Sequence, residues 1–278
     1  MQNILVSTAD LAEHLGDPGW VVFDTRHDLM DVEKGRRLYA EGHIPGAYFL
    51  HVDEDLSGPK TGKNGRHPLP DPNAFADWLG RCGVKPTDQI VAYDAANGAT
   101  AARLWWLLRW VGHDAVAVLD GGLAKWNAEG RPLTTEIPKP QAGNFRVHLR
   151  SEMAVDVHAI AKTLRKRVLL DARAPARYRG EQEPIDPVAG RIPGALNRFN
   201  VDNVKANGQF KAADELKADF QRVLGHRAPS EVVNYCGSGV AACHNLLAME
   251  VAGLSGGKLY AGSWSEWIAD PARPREKG

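Results

Sequence analysis

The 278-residue sequence has few cysteines, no excess of charge of either sign and no long apolar run. Cys82, Cys236 and Cys243 form an odd, sparse set, which argues against a disulfide framework and favours a reducing compartment. Basic and acidic residues both total 34, so nothing in the overall charge points to nucleic acid or to an acidic membrane surface. No apolar segment approaches the ~18 residues that a membrane helix needs.

The first seven residues also lack the basic region and the apolar core of a secretory signal. Together with the sparse cysteines, this predicts a cytoplasmic protein without nucleic-acid or membrane partners. The sequence points to no cofactor and no metal ion.

The two halves of the chain resemble each other. The matching segments are 22–26 with 169–173, 42–47 with 190–195, 90–94 with 232–236, and 121–126 with 262–267. A period of about 140 residues corresponds to a whole domain rather than to a solenoid repeat. We therefore predict tandem domains over 1–136 and 145–278, joined within the Pro- and Gly-bearing stretch 129–144.

Short β-branched runs alternate with helical patterns in both halves. The predicted strands are Trp20–Asp24, Gln89–Tyr93, Ala115–Leu119, Val168–Asp171, Glu231–Tyr235 and Lys258–Tyr260. The predicted helices are Pro72–Gly80 (N-capped by Asp71), Ala99–Val111 and Val240–Val251. This alternation predicts an α/β fold in which each domain has a parallel sheet flanked by helices on both faces.

The most informative segment is 232–241, where a β-branched run ends at Cys236 and a glycine-spaced turn leads into a helix. We call residues 236–241 the cysteine loop. It is predicted to place a thiol at the end of a strand, facing backbone N–H groups and a helix N-terminus, which favours a thiolate and an anionic ligand. A buried structural cysteine before an ordinary turn is the alternative. A cysteine phosphatase is disfavoured because Ala242 stands where that chemistry needs an arginine.

These segments together resemble the rhodanese (sulfurtransferase) family in its tandem two-domain form. The resemblance rests on 171–173, 177–180, 190–195, the cysteine loop and 262–267, and it covers nearly the whole chain. In that family the C-terminal domain carries the catalytic cysteine and the N-terminal domain has lost it. Asp94 stands at the position that the repeat matches to Cys236, which fits this pattern.

The resemblance also implies a sulfur donor. The Cys-Gly-Ser-Gly-Val form of the loop is similar to that of 3-mercaptopyruvate sulfurtransferases, in which the serine works with a histidine and an aspartate. The matching residues here are Ser238, His67 and Asp55. Those enzymes use two arginines around the substrate, of which Arg177 matches the first, but Ile185 stands where the second is expected. Arg179 or Arg191 could replace it.

We therefore expect a sulfurtransferase in which a Cys236 persulfide passes sulfur from a small anionic donor to cyanide or to a thiol, including a thioredoxin-like thiol. The expected catalytic residues are Cys236, Ser238, His67 and Asp55, and the expected substrate-binding residues are Arg177, Gly237, Gly239, Val240 and Ala241. Thiosulfate as the donor, or a carrier that receives sulfur from a protein, are the alternatives.

Several of these residues also have structural interpretations. Arg177 could pair with Glu181 or Glu183 at the surface, and His67 could be an ordinary loop histidine. We expect Asp24 and Asp171 to form buried ion pairs with the arginines that follow them. Cys82 and Cys243 are predicted to lie in the core.

Overall fold

The computed structural model describes residues 4–95, 97–139, 142–164 and 166–278, so residues 140 and 141 of the predicted connecting stretch lie outside the described residues. The chain forms two compact units. The first comprises 1–58, 70–150 and 205–210, and the second comprises 59–69, 151–204 and 211–278. Within the described ranges, no helix is long and apolar enough to cross a membrane.

The first unit contains a five-stranded parallel sheet with the strand order β1-β5-β4-β2-β3. The strands are β1 (Leu5–Val6), β2 (Trp20–Asp24), β3 (Tyr48–Phe49), β4 (Gln89–Tyr93) and β5 (Val116–Leu119). The helices are α1 (Thr8–Glu13), α2 (Lys34–Glu41), α3 (Pro72–Arg81), α4 (Ala99–Trp110) and α5 (Gly122–Ala128).

The second unit contains a four-stranded parallel sheet with the order β7-β6-β8-β9. The strands are β6 (Val168–Asp171), β7 (Leu196–Asn197), β8 (Val232–Tyr235) and β9 (Lys258–Leu259). The helices are α6 (Val157–Lys162), α7 (Pro175–Arg179), α8 (Ala213–Leu224), α9 (Val240–Val251) and α10 (Ser263–Trp267). The predicted α/β class, with parallel sheets flanked by helices, is confirmed.

The central strands follow directly from the sequence. Every residue of β4 and β8 is buried, as expected for strands of a parallel sheet that is covered on both faces. The predicted start of α3 is also confirmed, since the Asp71 carboxylate accepts the backbone N–H groups of Asn73 at 3.0 Å and Ala74 at 2.9 Å.

The internal repeat extends to individual hydrogen bonds. In the first unit Asp24 is fully buried, pairs with Arg26 at 2.6 Å and accepts the Tyr93 hydroxyl at 2.8 Å. In the second unit Asp171 pairs with Arg173 at 2.7 Å, and Tyr235 is its register partner. The two predicted buried ion pairs are confirmed. Each arginine also donates to the carbonyl of the glycine that opens its Gly-x-Ile-Pro-Gly segment, Gly42 or Gly190, so each pair anchors that segment beside the central strands.

Candidate active site

The cysteine loop lies between the end of β8 and the start of α9 in the second unit. Cys236 is buried, with 3% of its surface exposed. Its Sγ accepts the backbone N–H of Gly239 at 3.1 Å and that of Ser238 at 3.4 Å. Val240 and Ala241 form the first turn of α9, where backbone N–H groups have no acceptor within the helix. The loop therefore surrounds the sulfur with donors that favour a negative charge.

Gly239 allows this conformation for two reasons. Its φ is +86°, in the left-handed region that side chains with a Cβ rarely adopt. A Cβ there would also clash with the carbonyl oxygen of Ala261 and lie 3.0 Å from the Ala261 Cα. The glycine thus permits both the turn and the close approach of the 261–265 segment.

That segment holds the loop backbone in place. Cys236 donates its N–H to the Ser263 hydroxyl at 3.0 Å, while its carbonyl accepts the N–H of Trp264 at 3.0 Å. The carbonyl of Gly237 accepts the N–H of Ser265, also at 3.0 Å. Ser263 has a φ of +54°, the only positive φ of a non-glycine residue in the described ranges. This strained residue was not identified from the sequence, although it lies in the second copy of a repeated segment.

His67 and Ser238 form a buried hydrogen bond. The Ser238 hydroxyl lies 2.8 Å from Nδ1 of His67, and both residues are at least nine-tenths buried. They meet within one unit, because residues 59–69 belong with the C-terminal part of the chain. The structure thus brings together three of the four predicted catalytic residues: Cys236, Ser238 and His67.

Asp55, the fourth predicted catalytic residue, belongs to the first unit. Its carboxylate accepts the backbone N–H of His51 at 2.7 Å, and burial raises the pKa of this carboxyl above its usual value. Its role in orienting His67 stays a prediction.

Arg177 on α7 pairs with two carboxylates and lies at the cysteine loop. Its guanidinium donates to Glu183 at 2.6 Å and to Asp186 at 3.1 Å. It also lies beside the cysteine loop, since a Cβ placed on Gly237 would be 3.5 Å from its Nη2. Glu181 instead pairs with Arg179. The predicted pairing with Glu183 therefore holds Arg177 next to the loop.

Arg66 contributes a second guanidinium at the loop, which no sequence motif had indicated. Its Nη2 would lie 2.7 Å from a Cβ on Gly237, and its Nη1 donates to the Asp186 carboxylate. The two residues considered as the second arginine are engaged elsewhere, because Arg179 pairs with Glu181 and Arg191 pairs with Glu276 at 2.8 Å. The feature of the sequence that could have indicated this role is that Arg66 directly precedes His67, a predicted catalytic residue.

The other two cysteines lie in the core, as predicted. Cys243 is fully buried in α9, and its thiol donates to the carbonyl of Gly239 at 3.2 Å. Cys82 follows α3, and burial raises the pKa of its thiol to about 12.

The first unit has an equivalent loop after β4, with a carboxylate in place of the thiol. Asp94 accepts the N–H groups of Gly98 at 3.0 Å and Thr100 at 3.1 Å, and also the Thr100 hydroxyl at 3.0 Å. The backbone donors of this loop therefore bind an anion that belongs to the chain itself.

Among the described residues of the first unit, one cluster of side chains has the composition of a metal site. His51, Glu33 and Glu54 in the first unit offer ligand atoms within 4.8 Å of one another. Both glutamates pair with Arg36, at 3.1 and 2.8 Å, so a cation of the chain already contacts both carboxylates. We assign no metal to this cluster.

Comparisons with known proteins identify the family of the chain. A family model described as a rhodanese-like domain matches residues 7–129 and 156–270. The chain is 46% identical over 278 residues to a probable 3-mercaptopyruvate sulfurtransferase of Pseudomonas aeruginosa, covering 99% of this chain and 98% of that protein. It is 38% identical over 284 residues to a putative thiosulfate sulfurtransferase of Mycobacterium tuberculosis, with coverages of 99% and 98%.

The fold of the chain also matches a solved structure of this family. The crystal structure of SseA from Escherichia coli, described as a 3-mercaptopyruvate sulfotransferase, superposes with a TM-score of 0.82 at 32% identity. The match covers 95% of this chain and 99% of SseA. Two matches to one family model, in the two halves that the internal repeat defines, account for most of the sequence. The chain belongs to the rhodanese family.

Proposed function

We propose that this sulfurtransferase moves the thiol sulfur of 3-mercaptopyruvate to a thiol or to cyanide, carrying it as the sulfane sulfur of a persulfide on Cys236. The observation that carries the proposal is the buried Cys236 sulfur, which accepts two backbone N–H groups beside the Ser238–His67 hydrogen bond. A thiolate suits this task because it attacks sulfur readily and also leaves readily from a persulfide.

The proposed reaction has two steps. The Cys236 thiolate attacks the thiol sulfur of the donor, the sulfur–carbon bond breaks, and the bonding electrons leave as the enolate of pyruvate. One proton completes pyruvate, and in this proposal the Ser238 hydroxyl of the loop, hydrogen-bonded to Nδ1 of His67, delivers it. An acceptor thiolate or cyanide then attacks the outer sulfur and releases the Cys236 thiolate.

The charges around the loop favour a donor with one negative charge. Arg66 and Arg177 contribute two positive charges, and Glu183 and Asp186 contribute two negative charges in direct contact with them. Such a balanced group suits the single carboxylate of mercaptopyruvate better than the dianion thiosulfate. An enolate leaving group also needs a proton, whereas sulfite leaves without one, so only mercaptopyruvate uses the Ser238–His67 pair.

Thiosulfate remains the second candidate donor, because one relative is named as a putative thiosulfate sulfurtransferase. A carrier that takes sulfur from a protein donor is the third candidate. In this proposal the catalytic domain comprises residues 145–278, and the segment 59–69 contributes His67 to it. Residues 1–136 form the domain without a catalytic cysteine. We further propose a cytoplasmic location and a thioredoxin-like acceptor, in keeping with the sparse cysteines.

The test measures kcat/KM for 3-mercaptopyruvate and for thiosulfate with cyanide as the acceptor. We expect the ratio to favour mercaptopyruvate, and Cys236→Ser to abolish both turnover and the mass increase of one sulfur atom after donor treatment. Cys243→Ser is the matched control and should retain both. Ser238→Ala should reduce mercaptopyruvate turnover more than thiosulfate turnover. Turnover of neither donor by the wild-type enzyme would instead support the carrier.

A further inference from the structure

The arrangement of Arg66 goes beyond what the sequence motifs imply. We propose that Arg66 binds the carboxylate of the sulfur donor, together with Arg177, and so determines donor specificity. This inference rests on the proposed sulfurtransferase function and names the group that recognises the donor. It also accounts for Ile185, the exposed isoleucine at the position where the resemblance leads us to expect an arginine.

The backbone of the 59–69 segment fixes Arg66 at the loop. Gly65 has a φ of +85°, and a Cβ there would lie 2.6 Å from the carbonyl oxygen of Gly262, so the chain turns tightly against the start of α10. Arg66 then donates its backbone N–H to the Ser265 hydroxyl at 3.1 Å. Because Ser265 also donates to the carbonyl of Gly237, one residue connects the backbone of Arg66 to the cysteine loop.

Asp186 holds the two guanidinium groups together. One of its carboxylate oxygens accepts from Nη1 of Arg66, and the other accepts from Nη2 of Arg177 at 3.1 Å. Gly237 lies under both groups, since a Cβ there would lie 2.7 Å from Arg66 Nη2 and 3.5 Å from Arg177 Nη2. Two guanidinium groups over one glycine form a paired site for a planar carboxylate.

The open side of this group is positive although its charges balance. The side chains of Glu183 and Asp186 are each only 3% exposed, whereas those of Arg66 and Arg177 are 25% and 17% exposed. A donor that approaches from solvent therefore meets the guanidinium groups before the carboxylates. Nε of Arg66 is buried and has no hydrogen-bond partner among the described residues, which leaves this guanidinium with an unused donor.

The experiment compares Arg66→Gln with the matched control Arg179→Gln. Arg179 is an exposed arginine of α7 that pairs with Glu181. The donors are 3-mercaptopyruvate and mercaptoacetone, which carries the same thiol and ketone but no carboxylate. Loss of one ionic hydrogen-bonded contact should raise KM for mercaptopyruvate by about 10- to 100-fold with a smaller change in kcat. Turnover of mercaptoacetone should change less than threefold, and inhibition by pyruvate should weaken in parallel.

The possible results separate the two proposals. If wild-type enzyme turns over mercaptopyruvate and Arg66→Gln leaves its KM unchanged, the role of Arg66 is refuted while the function stands. Equal losses with both donors also refute it, because they indicate a general disturbance of the loop. If the wild-type enzyme turns over neither mercaptopyruvate nor mercaptoacetone, the proposed function itself fails. Arg66→Lys keeps the charge without the planar fork and should lie between wild type and Arg66→Gln.

Discussion

Replacing Gly239 by alanine tests whether the cysteine loop depends on one close backbone approach. The left-handed conformation at φ +86° should cost alanine about 1–2 kcal/mol. The clash with the Ala261 carbonyl should add about 1–3 kcal/mol, because the neighbour is backbone and cannot rotate away. Gly253 provides the matched control at the other end of α9, since its φ is +70° and a Cβ there would meet nothing within 4 Å.

The two variants should therefore differ in both stability and activity. Urea unfolding should show Gly239→Ala to be less stable than Gly253→Ala by about 1–3 kcal/mol, the cost of the clash alone. Gly239→Ala should also lose about 10- to 100-fold in kcat/KM for mercaptopyruvate, because the displaced N–H is the donor that lies 3.1 Å from the Cys236 sulfur. Equal stability of the two variants, or full activity of Gly239→Ala, would refute this account of the loop.

Two further predictions concern the anion in the first unit and the reactivity of the thiols. Asp94→Ala should destabilise the protein by about 1.5–3 kcal/mol in urea unfolding, because three donors lose a charged acceptor. The helix-cap control Asp71→Ala should cost ~1 kcal/mol. A smaller loss of stability for Asp94→Ala than for the control would contradict the role of Asp94. Iodoacetamide at pH 8 should label Cys236 well before Cys82, as measured by peptide mass spectrometry. The Cys82 thiol, with a pKa of about 12, is only about one part in 10⁴ ionised at pH 8, and it becomes reactive as the pH rises towards 12. Equally fast labelling of the two thiols would be inconsistent with the raised pKa of the Cys82 thiol.

The sequence was most informative where strands are buried on both faces. The predicted bounds of β2, β4 and β6 agree with the structure, because such strands read as continuous apolar runs between turn residues. The strands β1, β3 and β7 are two residues long, too short to produce a periodic pattern, and they were missed. Short helices such as α7 and α10 were missed for the same reason.

The site was predictable to the extent that its residues form local motifs. The cysteine loop is a contiguous segment, so its chemistry could be inferred from order and spacing alone. Arg66 lies about 170 residues earlier, and a lone arginine in a Gly- and Pro-rich segment is typical of a solvated loop. Its position depends on the tight turn at Gly65 and on the hydrogen bond to Ser265, neither of which leaves a pattern in the sequence. Tertiary contacts of this kind become visible only in the folded chain.

The two loops of the duplicated fold differ in the side chain that accepts from the backbone N–H groups. Each loop directs backbone N–H groups at the first side chain after a central strand, and each therefore favours an anion there. In the first unit that anion is the Asp94 carboxylate, which cannot accept a sulfur atom and already satisfies the donors around it. In the second unit the side chain is the Cys236 thiol, and in the proposed persulfide the outer sulfur would lie about 2 Å beyond Sγ. Equivalent loops thus hold a carboxylate in one unit and the proposed nucleophile in the other, and the difference depends on one side chain.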